Sequence, residues 1–363
     1  MKAAVLDGVG QPFQVQDIDI ADPMGREVLI DVRASGLCHS DMHVAETNVG
    51  FPMPALLGHE IAGVVAEVGP DVTEFRVGDH VVSSPIHSCG HCRGCLTGRP
   101  YQCRHPQETQ RTPGQGPRLS RNGDALTQFI GVGGFAEQVL VHENTVVSVS
   151  KDIPFDRAAL LGCGVVTGAG AAINSARIRP GDTVAVIGCG GVGLNVIQGA
   201  ALAGARRIIA IDLQPGKLEL AKVFGATDIV NAGDGDSVQA VKDLSGGGVT
   251  CAFEVIGLKQ TAMDAVAMLD IGGTAFLIGV QKPETRLEVT PFGDLMGKQK
   301  GIRGVAMGST NLKIDIPMYA ELYLQGRFKL DELVSRHISL DQINEGYDLL
   351  RGGSVARSVI THF

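Results

Sequence analysis

Four of the eight cysteines fall close together, with the spacing C-x2-C-x2-C-x7-C. Two short turns and a longer return can bring four sulfurs to one centre, and four thiolates complete the tetrahedral coordination of zinc without leaving an open position. The pattern therefore predicts a structural zinc site, with free thiols, disulfides or an iron–sulfur cluster as alternatives. His91 and His105 could compete as ligands, but we interpret them as bystanders. The four predicted ligands are Cys89, Cys92, Cys95 and Cys103.

A glycine-rich segment follows the apolar run Val184–Ile187 and begins a predicted helix, which is the arrangement that binds dinucleotides. The first glycine permits a tight turn, the second lets the backbone approach a pyrophosphate, and the last lets helix and strand pack closely. Amide groups at the helix N-terminus would face the phosphates. The predicted cofactor residues of this segment are Gly188, Gly190, Gly191, Val192 and Gly193.

Asp212 stands at the end of the next apolar run and indicates which dinucleotide is used. A carboxylate about 20 residues beyond the fingerprint accepts hydrogen bonds from the adenosine ribose and repels a 2′-phosphate. We therefore expect NAD rather than NADP, with Lys217 as a further ribose contact. A turn or cap role for Asp212 and a solvated side chain for Lys217 are the structural alternatives.

Composition limits the class of protein. The 363 residues are 44% hydrophobic and 19% charged, and the net charge is −8. These values are typical of a folded protein with more than one domain and argue against a general nucleic-acid binder. The uncharged stretches Ala158–Ala176 and Thr183–Ala205 are interpreted as buried elements rather than membrane spans. The first residues lack the apolar region of a signal peptide, so we expect a cytoplasmic protein.

The elements that must position these residues change character along the chain. Residues 1–150 alternate short apolar runs with Gly and Pro, which predicts a β-rich domain. From about 165 the rhythm is strand, helix, strand, helix, which predicts an α/β domain with a doubly wound parallel sheet. Segment 104–128 reads as a long loop, and long loops in compact domains are often functional.

Six segments, taken together, resemble a known family. They are GLCHSD at 36–41, GHE at 58–60, the four-cysteine lobe, LLGCGVVTG at 160–168, IGCGGVG at 187–193 and INEGYDLLRGG at 343–353. In this order they resemble zinc-containing alcohol dehydrogenases of the medium-chain dehydrogenase superfamily, essentially from end to end. The long-loop branch is the most similar, with its liver-type, thiol-adduct formaldehyde dehydrogenase and bacterial nicotinoprotein members.

The resemblance implies a catalytic zinc ion held by Cys38, His59 and Cys163, with the fourth position left to water or substrate. Zinc as a Lewis acid lowers the pKa of an alcohol, which must lose its hydroxyl proton before its carbon gives up hydride. Asp41 matches the carboxylate that orients the His59 ring. Glu60 matches the acid behind the zinc. The alternatives are a turn cap for Asp41 and an ordinary buried ion pair for Glu60.

The resemblance also implies a proton relay. Ser40 would take the alcohol proton, which would pass through the nicotinamide ribose to His43 and then to solvent. Histidine suits the outer position because free imidazole titrates near neutrality. Without the matched segment, a surface histidine would be the simpler interpretation of His43.

The remaining matches concern cofactor and substrate. His39 occupies a position where relatives often carry Arg, and with Arg357 it would face the pyrophosphate. Thr167 matches a residue beside the nicotinamide, with simple packing in a helix as the alternative. Phe129, Ile130 and Val280 match positions near the substrate cleft, where Val280 would also contact the cofactor, although apolar residues there could be plain core. Four arginines of the long loop leave open an adduct of a thiol as substrate, with a solvated loop preferred: Arg104, Arg111, Arg118 and Arg121.

The expected protein is thus an NAD-dependent alcohol dehydrogenase with two zinc ions per chain, acting on small primary or aromatic alcohols and the matching aldehydes. Secondary alcohols and the matching ketones are a further class of expected substrate. A GroES-like catalytic domain over 1–164, completed by 307–363, would flank a Rossmann domain over 165–306. Nucleic-acid and membrane partners are not expected. We expect a homodimer or homotetramer, with Thr274–Val280 as a candidate edge strand through which subunits join. A thiol-adduct formaldehyde dehydrogenase (mycothiol or glutathione type) and a nicotinoprotein with tightly held NAD are the alternatives, and a zinc-ribbon binding module is disfavoured by the charge and the complete fingerprint.

Overall fold

The strand Glu27–Gly36 is the centre of the largest sheet in the computed structural model. Glu60–Val68 pairs with it in antiparallel register along one side. Gln138–His142 and Arg357–His362 pair with its first and last parts, also antiparallel. The sheet continues through three further strands, Val334–Ser339, His80–Ser83 and Val146–Ser148.

Two smaller sheets complete the β-rich part of the chain. One has the strand order Thr127–Gln128, Ala55–Leu56, Lys2–Leu6, Gln14–Asp17, and the other the order Asp19–Ile20, Leu119–Arg121, Asp124–Ala125. The buried side chains of Lys2–Leu6 are packed with Leu56, Phe135 and Tyr347 in one apolar cluster. The helices of this part are His39–Glu46, Arg93–Leu96, Phe155–Leu160, Leu312–Leu324 and Ile343–Arg351.

An apolar helical run extends from Phe155 to Ala176. It is 22 residues long and apolar enough to cross a membrane by length and composition, but 89% of its most apolar window is buried inside the protein. The run is interrupted by π-helical turns at Leu161–Val165 and Ala171–Ala176, with Val166–Gly170 α-helical between them. Single π turns inside α-helices are frequent at functional sites.

A fourth sheet, formed by residues 183–304, has only parallel strands. Their order is Asp228–Asn231, Arg207–Asp212, Thr183–Ile187, Val249–Glu254, Leu269–Leu277, Gly301–Gly304. The connecting helices are Gly191–Leu202, Pro215–Val223, Ser237–Ser245 and Lys259–Ala267. Strands buried on both faces carry continuous apolar runs, as in Thr183–Ile187, where all five residues are buried. The predicted fold class, a β-rich GroES-like domain and a doubly wound parallel sheet, is confirmed.

The structure describes residues 1–352 and 357–363. They divide into one unit formed by Met1–Gly164 with Asn311–Phe363 and a second unit formed by Val165–Thr310. The sequence placed the second boundary after residue 306, within the loop that precedes helix Leu312–Leu324. Of the motif at 343–353, residue 353 lies outside the described residues.

The candidate edge strand is not at the edge of its sheet. Gly301–Gly304 pairs with the outer side of Leu269–Leu277, with Thr274 opposite Gly301. The expectation that Thr274–Val280 offers a free edge to a second subunit is therefore wrong for the described residues. Sequence alone missed the covering strand because Gly301–Gly304 is only four residues long and carries two glycines.

Segment 104–128 is more ordered than a solvated loop. It contains short 3-10 turns at Pro106–Thr109 and Pro113–Gln115 besides the small strands named above. The Arg111 Nη2 atom lies 2.6 Å from Glu27 Oε2, and Arg118 Nε lies 2.7 Å from Glu27 Oε1. Both arginine side chains are buried, so the solvated interpretation is wrong for them. Arg121 pairs with an aspartate of the neighbouring sheet, 2.6 Å from Asp7 Oδ1.

Candidate active site and metal centres

Strand pairing brings two of the predicted catalytic zinc ligands together. Gly36, the last residue of the central strand, is opposite Glu60, the first residue of its partner. Cys38 follows the first strand as the N-cap of helix His39–Glu46, and His59 immediately precedes the second. The sequence separation of 21 residues thus becomes proximity because both side chains leave the same end of one strand pair.

Cys163 reaches the same place from the π turn Leu161–Val165. The ligand atoms of Cys38, His59, Glu60 and Cys163 all lie within 4.8 Å of one another, and all four residues are buried. Neither cysteine forms a disulfide. Two thiols, an imidazole and a carboxylate held this closely in the interior form a donor set that fits zinc.

Charge in this cluster favours a thiolate. The hydrogen bond with Cys163 holds the pKa of Cys38 well below its ordinary value against the effect of burial, and the nearby His59 and Arg357 lower it further. The hydrogen bond with Cys38 and burial raise the pKa of Cys163 well above its ordinary value. A thiolate is the form of cysteine that ligates metals, so the pair is prepared for a cation.

Asp41 orients the imidazole. Its Oδ1 atom lies 3.0 Å from His59 Nδ1 and accepts a second hydrogen bond, 2.9 Å long, from the amide of Gly58. A carboxylate acceptor at Nδ1 leaves Nε2 as the metal-binding nitrogen. Burial lowers the pKa of His59, but Asp41 and Cys38 together raise it well above its ordinary value.

Glu60 and Arg357 form a buried ion pair behind the thiols. Arg357 Nε lies 3.3 Å from Glu60 Oε2, and Arg357 Nη2 lies 3.9 Å from Cys38 Sγ. The amide of Gly164 donates to Glu60 Oε1 at 3.2 Å. Burial raises the pKa of Glu60 to about 7 although Arg357 acts in the opposite direction. The predicted pyrophosphate contact of Arg357 stays a prediction.

Helix His39–Glu46 carries the predicted relay. Ser40 Oγ lies 3.8 Å from Cys38 Sγ, and both Ser40 and His43 are partly exposed. Residues three apart lie on the same face of a helix, so the hydroxyl and the imidazole are neighbours on one surface. His39, the first residue of the helix, is exposed.

Aromatic rings cover one side of the catalytic cluster. The Phe129 ring meets the His59 ring edge-on at 5.8 Å between centroids, and Phe51 meets Phe129 in the same manner at 5.2 Å. Ile130 has a φ of +36°, a left-handed conformation that β-branched residues rarely adopt. Its carbonyl oxygen accepts a 2.8 Å hydrogen bond from His87 Nε2. Neither Phe51 nor His87 was identified from the sequence, because no motif marks them.

The four clustered cysteines come together as a second centre. Their sulfur atoms all lie within 4.8 Å of one another, and Cys92 Sγ is 3.6 Å from Cys95 Sγ. Backbone amides donate to the sulfurs, that of Cys89 to Cys103 Sγ at 3.2 Å and that of Cys92 to Cys89 Sγ at 3.4 Å. The cysteines are unbridged, and such amide bonds stabilise ligated thiolates, so the set fits a four-sulfur zinc ion.

The glycine fingerprint lies in the second unit, between strand Thr183–Ile187 and helix Gly191–Leu202. Gly188 has a φ of +102°, and a Cβ atom on Gly193 would lie 1.8 Å from the Gly188 carbonyl oxygen. A Cβ atom on Gly190 would meet nothing within 4 Å. The turn therefore leaves open space over the middle glycine, which fits the approach of a pyrophosphate.

Asp212 is fixed beside this turn. Its two carboxylate oxygens accept the amide hydrogens of Cys189 at 2.8 Å and Gln214 at 3.0 Å. Each oxygen retains a lone pair for a further donor. Lys217 is partly buried in the first turn of helix Pro215–Val223. Thr167 is buried with its hydroxyl 3.8 Å from Met307 Sδ, whereas Val280 is exposed.

Comparison with known proteins decides the family. Residues 24–151 match the family described as Alcohol dehydrogenase GroES-like domain, and residues 191–323 match Zinc-binding dehydrogenase. The chain is 39% identical to the NDMA-dependent alcohol dehydrogenase of Amycolatopsis methanolica over 99% of this chain and 98% of the relative. This chain belongs to the zinc-containing alcohol dehydrogenases of the medium-chain superfamily. The resemblance inferred from the motifs is confirmed.

Two further relatives are named for two different activities. It is 37% identical to S-(hydroxymethyl)glutathione dehydrogenase of a Synechocystis strain, over 99% of each chain. It is 36% identical to the crystal structure of benzyl alcohol dehydrogenase from Acinetobacter calcoaceticus, with a TM-score of 0.94 over 100% of this chain and 99% of that one. The dehydrogenase is therefore an oxidoreductase of the alcohol dehydrogenase kind that acts on small molecules.

Proposed function

We propose that this alcohol dehydrogenase transfers hydride between NAD and primary or aromatic alcohols, giving aldehydes, at the site formed by Cys38, His59 and Cys163. The observation that carries the proposal is the convergence of these three buried side chains on one point, with His59 Nδ1 held by a carboxylate. When bound, zinc supplies a Lewis acid that lowers the pKa of an alcohol, and NAD accepts the hydride.

The chain's own residues prepare the site for that chemistry. Asp41 engages Nδ1 of the imidazole, which leaves Nε2 free to bind a metal. Two thiolates balance a divalent charge, and Arg357 keeps the carboxylate of Glu60 within ligand distance behind them. Of the four donors, Glu60 is already engaged by Arg357 and by the amide of Gly164. Cys38, His59 and Cys163 then leave a tetrahedral ion one open position, which supports a catalytic rather than a structural centre.

Ser40 and His43 support proton transfer away from the site. The Ser40 hydroxyl, next to Cys38, can accept a proton from an alcohol and hand it on. His43 lies one helical turn further along the same face and is partly exposed, so it can exchange the proton with solvent.

Aromatic alcohols are the favoured substrates. The rings of Phe129 and Phe51 beside His59 offer an apolar wall, and aromatic pairs prefer this edge-on geometry. The similarity to a benzyl alcohol dehydrogenase supports the same choice. Secondary alcohols are a further candidate class, since Ser40 carries no methyl group toward the pocket.

NAD is the proposed cofactor because Asp212 holds a negative charge at the end of its strand, against a 2′-phosphate. A nicotinoprotein with tightly held NAD is the second candidate, favoured by the similarity to an NDMA-dependent relative. The exposed His39 argues for freely exchanging NAD, because neutral imidazole binds a pyrophosphate less tightly than guanidinium does. Replacing His39 by arginine should slow NAD release, and an unchanged release rate contradicts that role.

A thiol-adduct formaldehyde dehydrogenase receives support from the Synechocystis relative. Three of the four arginines that would recognise an acidic thiol are, however, occupied, whereas Arg104 is exposed. Arg111 and Arg118 pair with Glu27, and Arg121 pairs with Asp7. We therefore rank this function below alcohol oxidation.

We also expect a homodimer or homotetramer in the cytoplasm.

Metal analysis combined with a substrate panel tests the proposal. The purified enzyme should contain two zinc ions and reduce NAD faster than NADP with benzyl alcohol. Cys163→Ala should abolish turnover while the fold and the four-cysteine zinc remain. The matched variant Cys95→Ala should lose the other zinc and stability. Activity that requires a thiol with formaldehyde, or NDMA with any alcohol, would select one of the alternatives, and one zinc bound only by the cysteine lobe would refute the proposal.

A further inference from the structure

The four-cysteine centre has two exposed metal-ligating side chains at its border. His91 Nε2 lies 2.7 Å from Glu108 Oε2, and the two side chains are 65% and 45% exposed. Of the four cysteines, Cys89 and Cys92 are buried, whereas Cys95 and Cys103 are partly exposed. An ion that reaches the sulfurs from solvent must first exchange its water ligands, and His91 and Glu108 are accessible groups that can replace them.

His91 and Glu108 lie close to Cys89, which also belongs to the four-cysteine centre. The ligand atoms of Cys89, His91 and Glu108 all lie within 4.8 Å of one another. Imidazole, carboxylate and thiolate are all zinc ligands, so the three side chains offer a mixed set of donors to one cation. The His105 ring stacks on the His91 ring at 6.1 Å between centroids, which limits the orientations of the imidazole.

The local backbone holds both groups against the cysteines. His91 stands between Cys89 and Cys92, directly after Gly90, whose φ of +84° turns the chain. Glu108 belongs to the 3-10 turn Pro106–Thr109, just beyond the last cysteine of the lobe. The chain segments that fold around the four sulfurs therefore also fix the exposed pair.

We propose that Cys89, His91 and Glu108 form a loading site, at which a zinc ion from solvent binds before it passes to the four cysteines. During transfer the ion keeps its charge and its bond to Cys89. The thiol proton of Cys89 is released to water when the ion first binds. The ion then exchanges His91 and Glu108 for the other three sulfurs, whose protons are also released to water. The same steps in reverse give the route by which zinc leaves.

Metal exchange on the intact enzyme tests this loading site. Zinc-loaded protein is mixed with 113Cd2+, and cadmium NMR distinguishes a four-sulfur site from the catalytic site. His91→Gln and Glu108→Gln should each slow cadmium uptake into the four-sulfur site by about tenfold or more. Each removes one ligand of the loading site, and loss of even an outer partner lowers the affinity of a metal site by about 10–100-fold, so the loading site is occupied less often. His337→Gln is the matched control, because His337 pairs with Asp156 at 2.6 Å without a cysteine beside it.

Equilibrium measurements separate a loading role from a structural one. Residues that act only along the path change the uptake and release rates equally, so both variants should keep the wild-type affinity of the four-cysteine site and the wild-type unfolding temperature. Uptake at the wild-type rate overturns the proposal. So does slower uptake accompanied by weaker equilibrium binding. Because the four-sulfur signal is read separately, the outcome is independent of whether the catalytic proposal holds.

Discussion

Replacing Asp41 by alanine should weaken zinc binding at the catalytic site and leave the four-cysteine site unchanged. The Oδ1 atom of Asp41 accepts hydrogen bonds from both His59 Nδ1 and the amide of Gly58. The substitution removes this acceptor and with it both hydrogen bonds. The His59 ring then loses the partner that fixes its orientation, and the Gly58 amide loses a buried acceptor.

The size of the effect follows from these two bonds. Loss of the carboxylate behind a metal-binding histidine lowers metal affinity by about 10–100-fold, or about 1.4–2.8 kcal/mol. The unpaired amide of Gly58 lowers the free energy of unfolding by a further ~1–3 kcal/mol. Asp41→Asn retains an oxygen acceptor but loses the negative charge, so its zinc affinity should fall between those of the wild type and Asp41→Ala.

Chelator competition monitored by metal analysis measures the two sites. Zinc bound per chain should fall from two to one at a chelator concentration that leaves the wild type loaded, and kcat/KM should fall in proportion to the lost zinc. Added zinc should restore activity in both Asp41 variants. Wild-type zinc affinity in Asp41→Ala would refute the reasoning, as would simultaneous loss of zinc from both sites.

Three further predictions concern stability, cofactor binding and substrate choice. Glu27→Gln should lower the free energy of unfolding by about 3–5 kcal/mol at neutral pH, because it leaves two buried arginines without their carboxylate. Burial raises the pKa of Glu27, but the hydrogen bonds from the two arginines lower it overall. The ion pairs therefore stabilise the fold at pH values above the ordinary glutamate pKa. This contribution to the free energy of unfolding should be lost in acid denaturation, because Glu27 then becomes protonated. Gly193→Ala should destabilise the fold in thermal unfolding because its Cβ would overlap a carbonyl, whereas Gly190→Ala should unfold like the wild type yet bind NAD less tightly in fluorescence titration. His87→Ala should change the ratio of kcat/KM for benzyl alcohol and ethanol while zinc content is unchanged, since it frees the strained Ile130 carbonyl; an unchanged ratio contradicts this.

The local sequence pattern was sufficient to predict strands and helices of the second unit. Buried parallel strands carry continuous apolar runs, so the run Val184–Ile187 predicted the strand Thr183–Ile187 to within one residue. The helix expected to begin in the glycine-rich segment is Gly191–Leu202. The first unit was harder because its pairing is nonlocal. Gly134 and Phe135, for example, donate their amides to the carbonyls of Gly58 and Leu57, which lie in a distant part of the sequence.

The amino-acid sequence by itself determined the family, the fold class and the residue types able to ligate metal, because motif spacing and apolar periodicity are local properties of the chain. Only the tertiary structure decided which side chains neutralise one another. It buried Arg118 against Glu27, placed Phe51 beside Phe129, covered the expected sheet edge with Gly301–Gly304, and brought the exposed His91 and Glu108 to the same cysteine. These contacts join segments distant in sequence, and hydrogen-bond and ion-pair energies depend on separations of a few ångströms that no one-dimensional pattern records.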